Sequence, residues 1–528
     1  MTACSHFCCF CIQMTRHILI ILLTSLLANA VRAQNLEVAR YEITLPITTK
    51  TQQCDYAMLD SIGILTVAET GASDTKGTKI WNFTVLDTNL VEQSSFNTSL
   101  DAALQLNSTT ASDNYAASVF ATAKRTDSTK VCVVIYDRNE DTISGFTTAL
   151  PPNITLLPAV AARHTLMLAY NSNDGGSSIS FYDMKTGETR RKHPQNENSL
   201  IQNVEALQDA NRFVVTTKEF ENKHSIATNF LIFDTNGNMR KGYSYPNDNG
   251  ATIGRSCSMA SDSSFKIFAT IERIGNTKTS AKGFADSYDK ESIGIAWIDF
   301  SGERVKSKFY QFKNIPDIDK ALTPNNRLRV KQRQVSQTDT ASAKRSEIAF
   351  QLLKPNLICN NDTCIMALEA FMPIYHTETR MEYGYFSSIP TTYTVFDGYD
   401  FYAQLVFAFN SKGEMLWYNH SNYDNPVDET LCRHTSEGVF NSETMLLSTN
   451  FNTLTYSIIS GNGTKTVDNE TVKLPLMGKN DILEGEASSI TRQWYGSNFI
   501  VTGKQVVRDR RVRKSTHLVF FLQKIQYE

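Results

Sequence analysis

Residues able to do chemistry are scattered along this chain rather than gathered into a local motif. After residue 33 the histidines stand alone, and no His-Glu-x-x-His or Cys-x-x-Cys spacing there offers a ready set of metal ligands. A Gly-x-Ser-x-Gly elbow for a nucleophilic serine is absent, as are the P-loop and the dinucleotide glycine fingerprint. Enzyme classes that rest on those motifs are excluded, whereas a hydrolase that collects its site from distant segments is not. Acidic residues are plentiful, but no spacing singles out a general acid and base. Nothing in the sequence calls for a cofactor or a metal.

The densest set of groups suited to recognition lies at 373–402, which reads as an aromatic-rich loop. Tyr375, His376, Tyr383, Tyr385, Asp397 and Tyr399 are the candidate partner-binding residues. Tyrosine presents a flat apolar ring with a polar tip, which suits a sugar, a peptide or a protein surface. The plainer alternative is that these rings pack the segment onto the body beneath it.

That body is legible as a repeat. A short β-rich run ends in Asp or Asn, a turn follows, and a second run begins. The copies end at Asp87, Asp137, Asp183, Asp234, Asp299 and Asn410, with a weaker copy at Ser460. Successive markers among the first six are 50, 46, 51, 65 and 111 positions apart, and the last gap reads as two units plus an insertion. Asp or Asn at a strand end bonds the backbone two residues on and starts a turn. Glycine after Asp234, Asp299 and Asn410 supplies the left-handed conformation that closes a short hairpin.

A period of about 50 residues carrying several short strands is the pattern of a β-propeller blade. The expected fold is all-β, a propeller of seven or eight four-stranded antiparallel blades, with eight favoured. It occupies 34–528 as a single domain, and the strand Glu37–Leu45 completes the last sheet. Thr323-Pro324 followed by Leu328, Val330 and Arg327, Arg329, Lys331 and Arg333 predicts a short basic helix in an inter-blade insertion at 313–345.

The first 33 residues read as a signal peptide, with Met14 as an alternative start and cleavage before Gln34. No later apolar run reaches the length of a membrane-spanning helix. The expected product is therefore exported, periplasmic or at the cell surface, and monomeric. A formal net charge of −2 calls for no polyanion, so nucleic acid is not an expected partner. The basic run at 508–514 reads as a charged hairpin tip. Cys359-Asn-Asn-Asp-Thr-Cys364 sets a turn sequence between two apolar runs, where a hairpin would join the two sulfurs. Cys54, Cys132, Cys257 and Cys432 permit several pairings or none.

Three pieces, Glu369–Tyr375, Phe396–Ala403 and Ala408–Trp417, together with the basic insertion, resemble a family of uncharacterised exported proteins common in Bacteroidetes. The resemblance covers about 313–420 and implies a periplasmic or surface propeller-like fold. It brings no activity and no functional residues with it. The sequence thus points to a non-catalytic propeller that binds a protein or glycan at the cell envelope. The alternative is a glycan-active or other hydrolase with its site in the central channel. Two or three carboxylates about 5–10 Å apart at the channel mouth would favour the enzyme.

Overall fold

The computed structural model describes residues 38–527 except 47–53, 74–76, 123–127, 174–175, 195–197, 208–210, 223–224, 246–250, 261–263, 274–289, 302–304, 324–347, 361, 384–387, 424–426 and 512–515. The described strands form eight antiparallel sheets, six of four strands and two in which the innermost strand is split in two. In chain order the blades span Cys54–Asp101, Leu104–Leu150, Ile154–Pro194, Ser199–Tyr245, Ala251–Gln311, Gln351–Asn422, Ser436–Lys473 and Asp481–Gln526. The strand Val38–Leu45 pairs with His517–Gln526 and becomes the outer strand of the eighth blade.

Blades adhere because each sheet has two apolar faces and can bury them only against its neighbours. Leu65, Trp81 and Phe83 of the first blade pack with Leu106, Phe120 and Tyr136 of the second. Clusters of the same kind join every following pair. Ile500 and Phe520 of the eighth blade pack with Tyr56 and Ile64 of the first, so the ring is closed. Full burial of one such side chain is worth about 1.5–3 kcal/mol.

The repeat markers take the expected role. Asp87, Asp137, Asp183, Asp234, Asp299 and Asn410 all accept a hydrogen bond from the backbone N–H two residues on, at 2.8–3.0 Å. Asp87 and Asp137 make this bond without the glycine, so the side-chain oxygen of the Asp or Asn is the constant element of the turn. Where glycine is present it also admits a neighbour. Gly413 has φ +71°, and a Cβ there would fall within the Trp297 ring of the preceding blade. Trp417 in turn donates from Nε1 to the Gly461 carbonyl of the next blade at 3.0 Å.

Two sequence readings need correction. The 111-residue gap between Asp299 and Asn410 is one step between blades, not two. It is enlarged by the segment after Gln311 and by two long strands, Thr363–Tyr383 and Ser388–Asn410. The region 373–402 is accordingly a β-ribbon rather than a loop. The predicted basic helix lies outside the described residues; ahead of it, 3-10 turns at Phe312–Asn314 and Ile318–Ala321 bury Phe312 and Ile318. The predicted hairpin forms, with Cys359 opposite Cys364 and joined to it by a disulfide.

Candidate functional site

The sixth blade departs from the others in one respect. Its second and third strands stay paired from Thr363↔Asn410 out to Tyr383↔Ser388. The fourth strand pairs back only to Ala403, and Gln351–Leu352 only to Phe371. From Met372↔Asp400 outward the two strands run as a ribbon with which no other described strand pairs. It projects roughly 35 Å at the usual rise per residue.

Such a ribbon has little stability alone, and cross-strand side chains supply support. A bulge sets Asp397 outside the regular register, between the pairs Ile374↔Gly398 and Tyr375↔Phe396. Asp397 Oδ1 lies 2.5 Å from His376 Nδ1, and His376 Nε2 lies 3.3 Å from Glu378. These two contacts raise the His376 imidazole above its ordinary value. Arg380 bonds Glu378 at 2.7 Å, and the Tyr393 hydroxyl donates to Glu382. His376, Glu378, Arg380 and Glu382 alternate with Tyr375, Thr377, Thr379 and Met381, so one face is charged and the other mixes apolar groups with threonine.

Tyr375 is 51% exposed, Met381 50%, Phe396 42% and Tyr393 39%. Tyr375 meets Phe396 edge to face at 5.5 Å, and Phe396 meets Tyr399 at 4.9 Å. Tyr399 packs on Phe371, Phe371 on Phe401, and Phe401 lies 4.3 Å from the His434 ring. Of the predicted residues, Tyr375, His376, Asp397 and Tyr399 come together. Tyr399 serves the plainer role of seating the ribbon. The Tyr383 backbone pairs at the tip, but its side chain and Tyr385 lie outside the described residues.

The ribbon is tied down by the linker to the seventh blade. Tyr399 N–H donates to the Asp428 carbonyl at 2.7 Å and Asp428 N–H to the Tyr399 carbonyl at 3.1 Å. Gly398, at φ +139°, allows this approach, because a Cβ would sit 2.7 Å from the Asp428 carbonyl oxygen. Beneath the bridge lies a polar cluster that sequence reasoning missed. Asp428 Oδ2 is 3.2 Å from His434 Nε2 and 3.4 Å from Cys432 Sγ, and Cys432 Sγ is 3.6 Å from His434 Nε2. Glu369, fully buried, accepts from Tyr423 Oη at 2.5 Å and from His434 N–H at 2.9 Å. Burial pulls the His434 imidazole down, but the bonds to Asp428 and Cys432 outweigh it and push it up to about 10. The signal was present as Asp428-x-x-x-Cys432-x-His434, but it matches none of the spacings sought.

The central channel encloses a cavity of about 1280 Å³. Its wall includes Asn171, Asn203, Arg255, Asn356, Ser436 and Arg492, contributed by six different blades. Glu272 is the one carboxylate among the described lining residues. Cations on the wall are matched from behind: Lys354 by Glu205 and Arg433 by Glu437, each at 2.8 Å. Nearby, Lys218 is fully buried and donates to Thr228 at 2.8 Å and Thr252 at 3.0 Å. Burial pushes its ammonium down to about 7.

The fold defines the class: an eight-bladed β-propeller whose last blade is completed by the first described strand, Val38–Leu45. No family model matches the sequence, and neither does any curated protein. Among solved structures, the chain is similar to the β-propeller domain of the Trilobed protease from Pyrococcus furiosus, at 10% identity and TM-score 0.33, over 78% of this chain and 94% of that one. It is also similar to the Pyrococcus horikoshii acylaminoacyl peptidase, at 10% identity and TM-score 0.34, over 77% and 51%. Prolyl oligopeptidase B from Galerina marginata gives 8% identity and TM-score 0.34, over 84% and 56%. The chain thus spans about half the length of these two peptidases.

Proposed function

We propose that this is an exported binding propeller that captures a protein or glycan partner at the cell envelope through the ribbon of its sixth blade. The observation that carries the reading is the exposure of Tyr375, Tyr393, Phe396 and Met381 on a ribbon with which no other described strand pairs. Rings held in fixed positions beside hydroxyl and charged groups give a large contact area at small entropic cost. Export is supported by the signal-like first 33 residues, by the Cys359–Cys364 disulfide and by the resemblance over 313–420. The hydrolase alternative is the weaker one, since the described residues of the cavity wall include a single carboxylate, Glu272.

The test compares the chain starting at Gln34 with a Tyr375→Ser, Tyr393→Ser, Phe396→Ser variant on a glycan array and on immobilised envelope proteins. Removing half-exposed rings leaves the inter-blade cores untouched, so circular dichroism and melting stay near wild type. Glycans or proteins bound by the wild type are lost by the variant. Equal binding by both chains refutes the ribbon as the recognition surface.

A further inference from the structure

Asp428, Cys432 and His434 bring one oxygen, one sulfur and one nitrogen to a common point from a span of seven residues. The edges of the triangle they form are 3.2 Å for O–N, 3.4 Å for O–S and 3.6 Å for S–N. A tetrahedral zinc ion with bonds of about 2.0–2.1 Å to oxygen and nitrogen and about 2.3 Å to sulfur requires edges of about 3.3, 3.5 and 3.6 Å. The triangle is therefore one face of such a tetrahedron. A second observation concerns the other imidazole nitrogen. His434 is 1% exposed, its Nδ1 has no hydrogen-bond partner, and Glu369 Oε1 lies 3.9 Å away. A histidine that ligates through Nε2 carries its proton on Nδ1 and directs it to a carboxylate, which is the place Glu369 occupies. Cys432 is a free thiol, so its sulfur is available.

We propose that Asp428, Cys432 and His434 bind one zinc-class divalent cation, with the fourth coordination position open to solvent and Glu369 orienting His434. This goes beyond the binding role of the ribbon and does not depend on it. On binding, the Cys432 thiol and the Nε2 of the His434 imidazolium each release a proton to solvent, and His434 keeps its single remaining proton on Nδ1. All three ligands lie on the linker that bridges to Tyr399, so the ion would fasten that linker where the ribbon leaves the blade.

The experiment uses the chain from Gln34, stripped with a chelator and then titrated with Zn²⁺ against a competing chromophoric chelator, and separately with Co²⁺. Wild type takes up about one ion per chain, and the cobalt form shows a thiolate-to-metal band in the near ultraviolet with four-coordinate bands in the visible. Cys432→Ser abolishes the near-ultraviolet band, Asp428→Asn weakens uptake, and Glu369→Gln weakens it about 10–100-fold. Each variant is checked by circular dichroism. The wild-type cobalt spectrum stands as a test even if a variant fails to fold. Folded wild type that takes up no ion at micromolar concentration, or a cobalt spectrum that lacks the thiolate band, overturns the site. Neither result bears on partner capture, which is measured without added metal.

Discussion

Replacing Gly398 with Ala asks whether the ribbon is held by its contact with the linker. Gly398 sits at φ +139°, where any other residue costs about 1–3 kcal/mol. A Cβ would also lie 2.7 Å from both the Asp428 carbonyl oxygen and Val427 Cγ1, so the linker must retreat. That retreat severs the two hydrogen bonds between Tyr399 and Asp428, together worth about 1–3 kcal/mol. The damage stays local, because among the described residues the ribbon beyond this bridge pairs only with itself. Hydrogen exchange followed by mass spectrometry should show peptides covering Tyr399 and Asp428 exchanging about 5- to 150-fold faster. Melting should fall by only a few degrees, since about 2 cal/mol/K per residue across this ring makes each kcal/mol worth roughly 1 °C. Gly496→Ala is the control: φ there is +51° with nothing within 4 Å, so it adds backbone strain alone. The reasoning fails if the Tyr399 and Asp428 peptides keep wild-type exchange, or if exchange rises evenly over all eight sheets.

Gly413→Ala should cost about 2–5 kcal/mol in urea unfolding, from left-handed strain plus displacement of Trp297; a loss equal to that of Gly496→Ala would show that the blades tolerate the added methyl. Lys218→Met should flatten a pH trend. The folded ammonium loses its proton near 7 and the unfolded one near 10.5, so the unfolded chain binds more protons between those values and wild-type stability rises with pH there. Burial is the main cause, Glu272 opposes it and Lys290 adds to it. Urea midpoints at pH 7, 8.5 and 10 should climb for wild type more than for the variant, and parallel climbs would refute the assignment. Changing Cys359 and Cys364 together to Ser should lower stability by about 2 kcal/mol, the value for a loop this short, and an unchanged midpoint would mean the strand pair holds without the bridge.

The part of the fold that was legible is the part every blade must repeat. An Asp or Asn at a strand end writes its turn locally, so Asp87 and Asp137 kept the signal even without their glycines. Ring closure was legible too, since Val38–Leu45 is a strand pattern that no neighbouring hairpin claims. The 111-residue gap was misread because a period counts positions, and counting cannot separate one enlarged blade from two ordinary ones. Tyr375 to Tyr383 alternates in the strand period, but Pro373, Gly384 and Pro390 punctuate the stretch like a loop. A ribbon with one charged face also lacks the apolar alternation that marks a half-buried strand. The linker cluster was harder still. Asp428, Cys432 and His434 are close in sequence, yet Glu369 reaches them only because the sixth blade's long second strand passes beneath the linker. Blade stacking constrains all eight sheets alike and therefore specifies the fold. What distinguishes this propeller lies in the blade that departs from the rule, where the same constraint no longer dictates the residues.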